Sequence, residues 1–271
     1  SDVYKRQVGV NMSTIRNRMT KLNGGTPISD GPFRNGSMYL TYTNEGMPIG
    51  AFWGYKTDGL IQTQEQLNAV KRADFQPNAE LGDVLFVDTN GDGKLDSSDR
   101  CMIGNPIPDI IYGINMGMAW KGFDLNLQFG GTIGNQIFNA MRYYTYFPND
   151  ITNKDRALMN YWTPNNTNTD IPRLTATDVN DNDRFSDMYV ENGTYFRLRN
   201  AQLGYTLPAS LTQRIKLQKV RFYVSGQNLF TISSYSGMDP EVGQSSSLSR
   251  GIDYGIYPQN ISFTGGINVT F

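Results

Sequence analysis

The 271-residue chain carries 24 Lys and Arg against 25 Asp and Glu, a net charge of −1 that offers nucleic acid no basic field and a membrane surface no polybasic anchor. Mean hydropathy is −0.46, and no run approaches the ~18 apolar residues of a membrane-crossing helix, so any membrane contact has to come through strands. Histidine is absent and Cys101 is the single cysteine, which excludes Ser/His/Asp and Cys/His nucleophilic chemistry, histidine zinc sites and an internal disulfide framework.

Aromatic residues make up 12% of the chain and glycine numbers 28, the profile of a β-rich, turn-rich protein. Residues 1–7 are polar, lack the apolar core of a secretory signal, and match nothing that follows. They are set aside as a remnant segment, and the fold is expected over 8–271.

Alternation with period two marks strands at 8–19, 36–44 and 48–58. A short helix is expected over 63–71, with Thr63 as its N-cap. The segment 88–99 follows, in which Asp88, Asn90, Asp92, Asp96 and Asp99 stand at loop positions 1, 3, 5, 9 and 12. Lys94 supplies a backbone carbonyl and Gly93 the sharp turn between. This is the spacing of a calcium loop, with Asp99 in place of a longer Glu at its end. The expectation is a structural Ca2+ clamp that orders the connection 59–109. An ion-free Asp/Asn/Gly surface turn is the other reading, because these residues favour turns on their own account.

The clearest alternation lies around Lys121-Gly122. Tyr112, Ile114, Met116, Met118 and Trp120 share one parity before the turn, and Phe123, Leu125, Leu127 and Phe129 share one after it. One face is therefore apolar and the other small or polar, as in a sandwich core or, turned inside out, a membrane barrel. Trp120 and Phe123 flank the turn where an interfacial aromatic girdle would lie. The stretch 132–194 contains Tyr143, Tyr144, Tyr146, Phe147, Tyr161 and Trp162. These aromatics either contact sugar rings or a partner protein or pack on one another. Further strands are expected at 195–207, 219–231 and 260–271. Parity switches within the first of these, from Phe196 and Leu198 to Leu203, Tyr205 and Leu207, which calls for a bulge near Asn200. Asp239 and Glu241 are too weakly placed by sequence to serve as an acid–base pair for glycoside hydrolysis, so the chain is not expected to be an enzyme.

The connections alternate between long and short, as outer-membrane barrels do with their extracellular loops and periplasmic turns. About eight strands are expected, the last descending to Phe271 on the periplasmic side. The fold class is thus all-β, an antiparallel transmembrane barrel.

Several segments resemble the SusC/RagA-like TonB-linked outer-membrane transporters of the Bacteroidota. They are Pro48-Ile-Gly50-Ala-Phe52-Trp-Gly54-Tyr55-Lys-Thr-Asp58-Gly59, then Gly82-Asp83 through the Asp-rich loop to Pro106 and Pro108, and Trp162-Thr-Pro164 with Pro172-Arg173. Tyr195-Phe-Arg-Leu-Arg-Asn200 and Gly226-Gln-Asn228-Leu-Phe230 complete the set. The resemblance runs from about Val8 to the end. It implies a 22-stranded barrel of which this chain holds the last eight strands, in the Gram-negative outer membrane and in contact with its lipid. It also implies a SusD-like surface lipoprotein, oligosaccharide or peptide cargo, and energy from TonB–ExbB–ExbD through an N-terminal region not in this sequence. A secreted, calcium-stabilised β-protein that binds glycans at the cell surface is the alternative from another class.

Overall fold

The computed structural model describes residues 4–146, 153–243 and 246–271. Its strands are β1 (Lys5–Thr14), β2 (Ile28–Phe33), β3 (Met38–Thr43), β4 (Ala51–Gly54), β5 (Thr57–Leu60), β6 (Val84–Phe86), β7 (Cys101–Gly104) and β8 (Ile110–Trp120). They continue as β9 (Phe123–Ile133), β10 (Gln136–Asn139), β11 (Val190–Asn192), β12 (Tyr195–Thr206), β13 (Lys219–Ser233), β14 (Ile252–Asp253) and β15 (Ser262–Thr270). The helices are α1 (Gln64–Arg72), α2 (Ala140–Tyr146) and α3 (Ala209–Thr212).

One large sheet runs β1-β8-β9-β12-β13-β15, antiparallel throughout. Its ladder includes Lys5–Gln7 opposite Ala119–Gly117, so the regular structure begins within the segment that sequence reasoning sets aside. Backbone pairing makes no demand on side chains, and a polar strand end joins it as readily as an apolar one. The β8–β9 turn is the expected two-residue one. Lys121 and Gly122 have φ of 47° and 87°, the left-handed pair of the turn that matches strand twist. The bulge is also where parity demanded it, with the β12 register shifting between Leu198 and Asn200 against both neighbours.

No other part of the described chain covers the apolar face: Val10 is 70% exposed, Val224 60% and Phe263 78%. Aromatics band that face at both ends. Trp120, Phe123, Tyr205 and Phe222 lie in register at the short-turn end. At the other end Phe196 stacks on Phe129 at 5.2 Å and on Tyr112 at 6.5 Å. Eight residue steps separate Tyr112 from Trp120, roughly 27 Å of strand, or about 20 Å of depth at a barrel tilt near 40°.

The opposite face carries Asn115, Asn126, Gln128, Gln202 and Ser225, and an ion pair spans three of its strands. Arg221 of β13 reaches across β12 to Asp124 of β9 through bonds of 2.9 and 2.5 Å. Gly204 lies beneath this bridge, and a Cβ there would collide with the Arg221 guanidinium and stand 2.6 Å from Asp124 Oδ1.

Two of the eight expected wall strands do not belong to this sheet. The segments 36–44 and 48–58 instead form β3, β4 and part of β5, in smaller sheets ordered β2-β3-β4-β7 and β5-β6. Length is the reason. β3 holds six residues and β4 four, whereas crossing a bilayer takes about 9–11. Leu40 and Phe52 are fully buried there. The wall is therefore six-stranded, and an even count preserves the alternation of long and short connections.

The long connections 15–109, 134–194 and 234–261 leave the same edge and share one core. Phe33, Leu40 and Phe52 come from the first, Phe138, Ala140, Tyr143, Phe185 and Tyr189 from the second, and Ile252 from the third. The rings meet edge to face: Phe33 with Phe138 at 5.5 Å, Phe33 with Tyr143 at 4.9 Å, and Phe138 with Phe185 at 4.9 Å. Backbone pairing adds to this, since β10 lies antiparallel to β11 and parallel to β14. Helix α1 forms as expected, with Thr63 and Gln66 closing a capping box.

Substituting Gly204→Val in the full-length protein should force Arg221 off Asp124 and cost about 1–3 kcal/mol. The measurement is the temperature at which the folded band is lost in heat-modifiability electrophoresis, which should fall, while Gly9→Val, where a Cβ meets nothing within 4 Å, should leave it unchanged.

Candidate functional site

The Asp-rich loop leaves the end of β6 and closes on itself. Asp88 accepts from Gly91 N at 2.6 Å and from Gly93 N at 2.8 Å. Asn90 accepts from Asp92 N, and Asp92 accepts from Lys94 N, each at 2.9 Å. The amide of Gly93, opposed by slight desolvation and helped by that of Gly91, holds the Asp88 carboxyl below its ordinary range. Asp99 is fully buried, and its two oxygens accept from Thr89 N and Asp96 N at 3.0 and 2.9 Å. Asp96 caps the one-turn helix Ser97–Asp99 through Ser98 N at 2.7 Å. The donor chemistry suits a hard cation, although Asp96 Oδ1 already accepts from both Ser98 N and Ser98 Oγ, at 2.7 and 2.5 Å. Among the described residues, however, no three Asp, Glu, Cys or His side chains converge as a metal set. The loop geometry is that of a turn held by its own amides.

Of the loop aromatics, Tyr143 and Trp162 are buried, at 4% and 6% exposure, and packing accounts for both. Tyr143 sits in the three-connection core, where Arg34 donates to its hydroxyl at 3.0 Å and to Asp183 at 2.7 Å. Burial, with Asp183 beside it, pushes this phenol far above its usual value. Tyr144 packs against the same core and stands 5.1 Å from Phe33. Tyr146 and Tyr161 are half-buried, and the Arg142 guanidinium lies 5.0 Å from the Tyr146 ring. Phe147 lies outside the described residues. The Trp162 ring fills the space above Gly82, which leaves no room for a Cβ there, and its Nε1 donates to Gln62 Oε1 at 2.8 Å.

Two sets of charged residues, whose pairing the sequence does not reveal, organise this region. Asp83 is fully buried and bonds Arg173 Nε at 2.6 Å, while Arg173 N donates to Gly82 O at 2.9 Å. Asn182 donates to the same carboxylate at 3.0 Å, and its own oxygen accepts from Val84 N at 2.8 Å. The second set is at the rim of the wall. Arg197 of β12, 2% exposed, donates to Thr231 at 2.8 Å, to Asp239 at 2.6 Å and to Glu241 at 2.8 Å. Arg199 takes the other oxygen of Glu241 at 3.0 Å. Asp239 also accepts from Gln259 N at 2.9 Å, so both ends of the third connection are tied to one buried guanidinium. Asp239 and Glu241 are thereby arginine partners. Burial raises the Asp239 carboxyl, but the amides of Gln259 and Glu241 and the Arg197 pair outweigh it, so its net shift is downward.

No protein-family model matches the chain. It is 37% identical over 273 aligned residues, 96% of its length, to TonB-dependent receptor P3 of Formosa agariphila. It is 28% identical over 96% of its length to TonB-dependent receptor SusC of Bacteroides thetaiotaomicron. The chain belongs to the SusC/RagA-like TonB-dependent receptors. It spans about a quarter of the length of these relatives, 26% and 24%. A structure of the RagAB peptide transporter superposes on 99% of the chain with a TM-score of 0.73 at 24% identity, covering 27% of that chain, and shows the same fold.

In this TonB-dependent receptor chain the segments that carry the resemblance meet in space. Gly82-Asp83 pairs with Pro172-Arg173 beneath Trp162, Gly50 lies against the Leu248 carbonyl, and the arginines of Tyr195-Phe-Arg-Leu-Arg hold the third connection. The signal was present as charge embedded in apolar or turn motifs, Asp after Gly82 and two arginines within a strand. What sequence alone lacked was which acid belongs to which base.

Truncating Arg197→Ala leaves Asp239 buried without its cation, a change worth about 3–5 kcal/mol. Cleavage within 234–261 by limited proteolysis should accelerate roughly 100- to 1,000-fold or more, since each ~1.4 kcal/mol of local stability is a factor of ten. The Asp239 contribution is present above the unfolded carboxylate value near 3.9 and disappears as pH falls through the lower folded value. Wild-type protection should therefore persist at pH 5 and fail only in stronger acid.

Proposed function

We propose that this chain forms wall and outer loops of an outer-membrane importer of oligosaccharides or peptides, which works with a SusD-like surface lipoprotein and draws energy through TonB. One observation carries the reading: an exposed apolar sheet face bounded by aromatic belts, topped by three long connections condensed into one body. Such a face belongs in lipid, and such a body stands where cargo and a lipoprotein lid would meet it. The relation to SusC and the fold shared with the RagAB peptide transporter support it. A secreted glycan-binding protein would leave Val10, Val224 and Phe263 in water. Asp239 and Glu241 are held by Arg197 and Arg199, which supports transport over chemistry.

The test is deletion of the full-length gene in its host. The native protein should be recovered as a heat-modifiable outer-membrane species, and uptake of labelled oligosaccharide or labelled peptide should fall at least tenfold in the deletion strain. Recovery in the soluble secreted fraction, or unchanged uptake of both cargo classes, sinks the proposal.

Within the same reading, a structural Ca2+ gathers Asp88, Asn90, Asp92, Asp96 and Asp99 with the Lys94 carbonyl and fixes the 59–109 connection. Calorimetric titration of the full-length protein should show heat with Ca2+, weakened at least tenfold by Asp92→Asn or Asp88→Asn. No heat above background would remove the ion from the account.

A further inference from the structure

The apolar wall face is not uniform. Where β12, β13 and β15 run side by side, Ala201 pairs with Gly226, Gly226 with Phe263, and Val224 with Gly265. Ala201 and Gly265, with Gly226 between them lying under Leu229, thus leave a notch of about 400 Å3, walled by Leu125, Leu203, Val224 and Phe263. Its upper end is closed by Leu229. The irregularity that places two β13 residues, Asn228 and Leu229, opposite the single bulge residue of β12 turns Leu229 back, with a methyl 2.7 Å from where a Gly226 Cβ would be. Gly265 has open space before it, its nearest potential contact being Tyr223 O at 3.9 Å, so no backbone strain or crowding demands glycine at that position.

Resting on the membrane placement proposed above, we infer that this notch seats one acyl chain of a periplasmic-leaflet phospholipid as a defined site rather than as passing annular lipid. Its depth decides the source. The Leu125, Leu203, Val224 and Gly265 row lies one register step above the Phe123, Tyr205, Phe222 and Ile267 row at the short-turn end, and the Phe129 level lies two steps farther up. Short turns face the periplasm, so the notch opens into the inner half of the bilayer, where phospholipid and not lipopolysaccharide supplies the chains. A groove lined by carbon and shaped by branched side chains holds a chain through many weak contacts that a flat strand surface does not offer.

The full-length protein, first confirmed in the outer-membrane fraction, is released from detergent micelles and weighed by native mass spectrometry. Wild type should carry one retained phospholipid. Gly265→Leu, and independently Ala201→Leu, should lower that occupancy about tenfold while heat-modifiability is kept, and Val10→Leu on distant β1 should not. Equal phospholipid retention in all four proteins overturns the site, as does retention of lipopolysaccharide instead, or loss of a dimer mass in the notch variants, which would assign the notch to a second copy. Failure of membrane recovery would strike the functional proposal and be scored before any lipid is counted.

Discussion

The wall depends on one constraint: each strand must present carbon to one side and satisfy its polar groups on the other and along the ladder. From it follow the clean parity of β8 and β9, the polar face of amides, and the treatment of charge. Asp124 and Arg221 are not neighbours in the ladder, and they meet because Gly204 between them has no side chain. Where parity must change, a bulge absorbs it, and Arg197 just before it reaches the loop above.

Above the wall the physics becomes that of an ordinary soluble domain. The outer connections have a close-packed aromatic core, a capped helix α1, and buried polar side chains such as Asp83, Asn182 and Arg197 that are hydrogen-bonded. What sets them apart is how they are held together. Asp83 with Arg173 locks the second connection onto the first, and Arg197 with Asp239 and Glu241 locks the third onto the barrel rim. Breaking either pair strands a buried charge, which costs more than the pair itself contributes.

Much of the wall was legible in the sequence because period two is a local signal. The Lys121-Gly122 turn, the shift at Asn200 and the Thr63 cap each rest on residues within a few positions of one another. The segments 36–44 and 48–58 misled because alternation reports a strand and not what lies on its two faces. Their short runs, broken by Gly50 at φ 63°, were the available warning. Pairing across long sequence separation was illegible. Arg173 and Asp83 are 90 positions apart, and no local pattern joins them. For the aromatics at 143 and 162 the sequence left contact and self-packing both open, because a ring reads alike whether it faces solvent or Gly82.

The core shared by Phe33, Phe138 and Ile252 has a consequence for how such receptors diversify. Each of the three connections supplies only part of a common interior, so none is an independent module. A loop grafted alone from a relative would bring ridges that fit no groove, and would leave two foreign surfaces facing it. New shapes of the outer body are then acquired either by coordinated change at positions more than a hundred residues apart, or at the outermost side chains that touch no neighbouring connection. The second route is open to single mutations. The first favours exchange of the whole outer body as one inherited block.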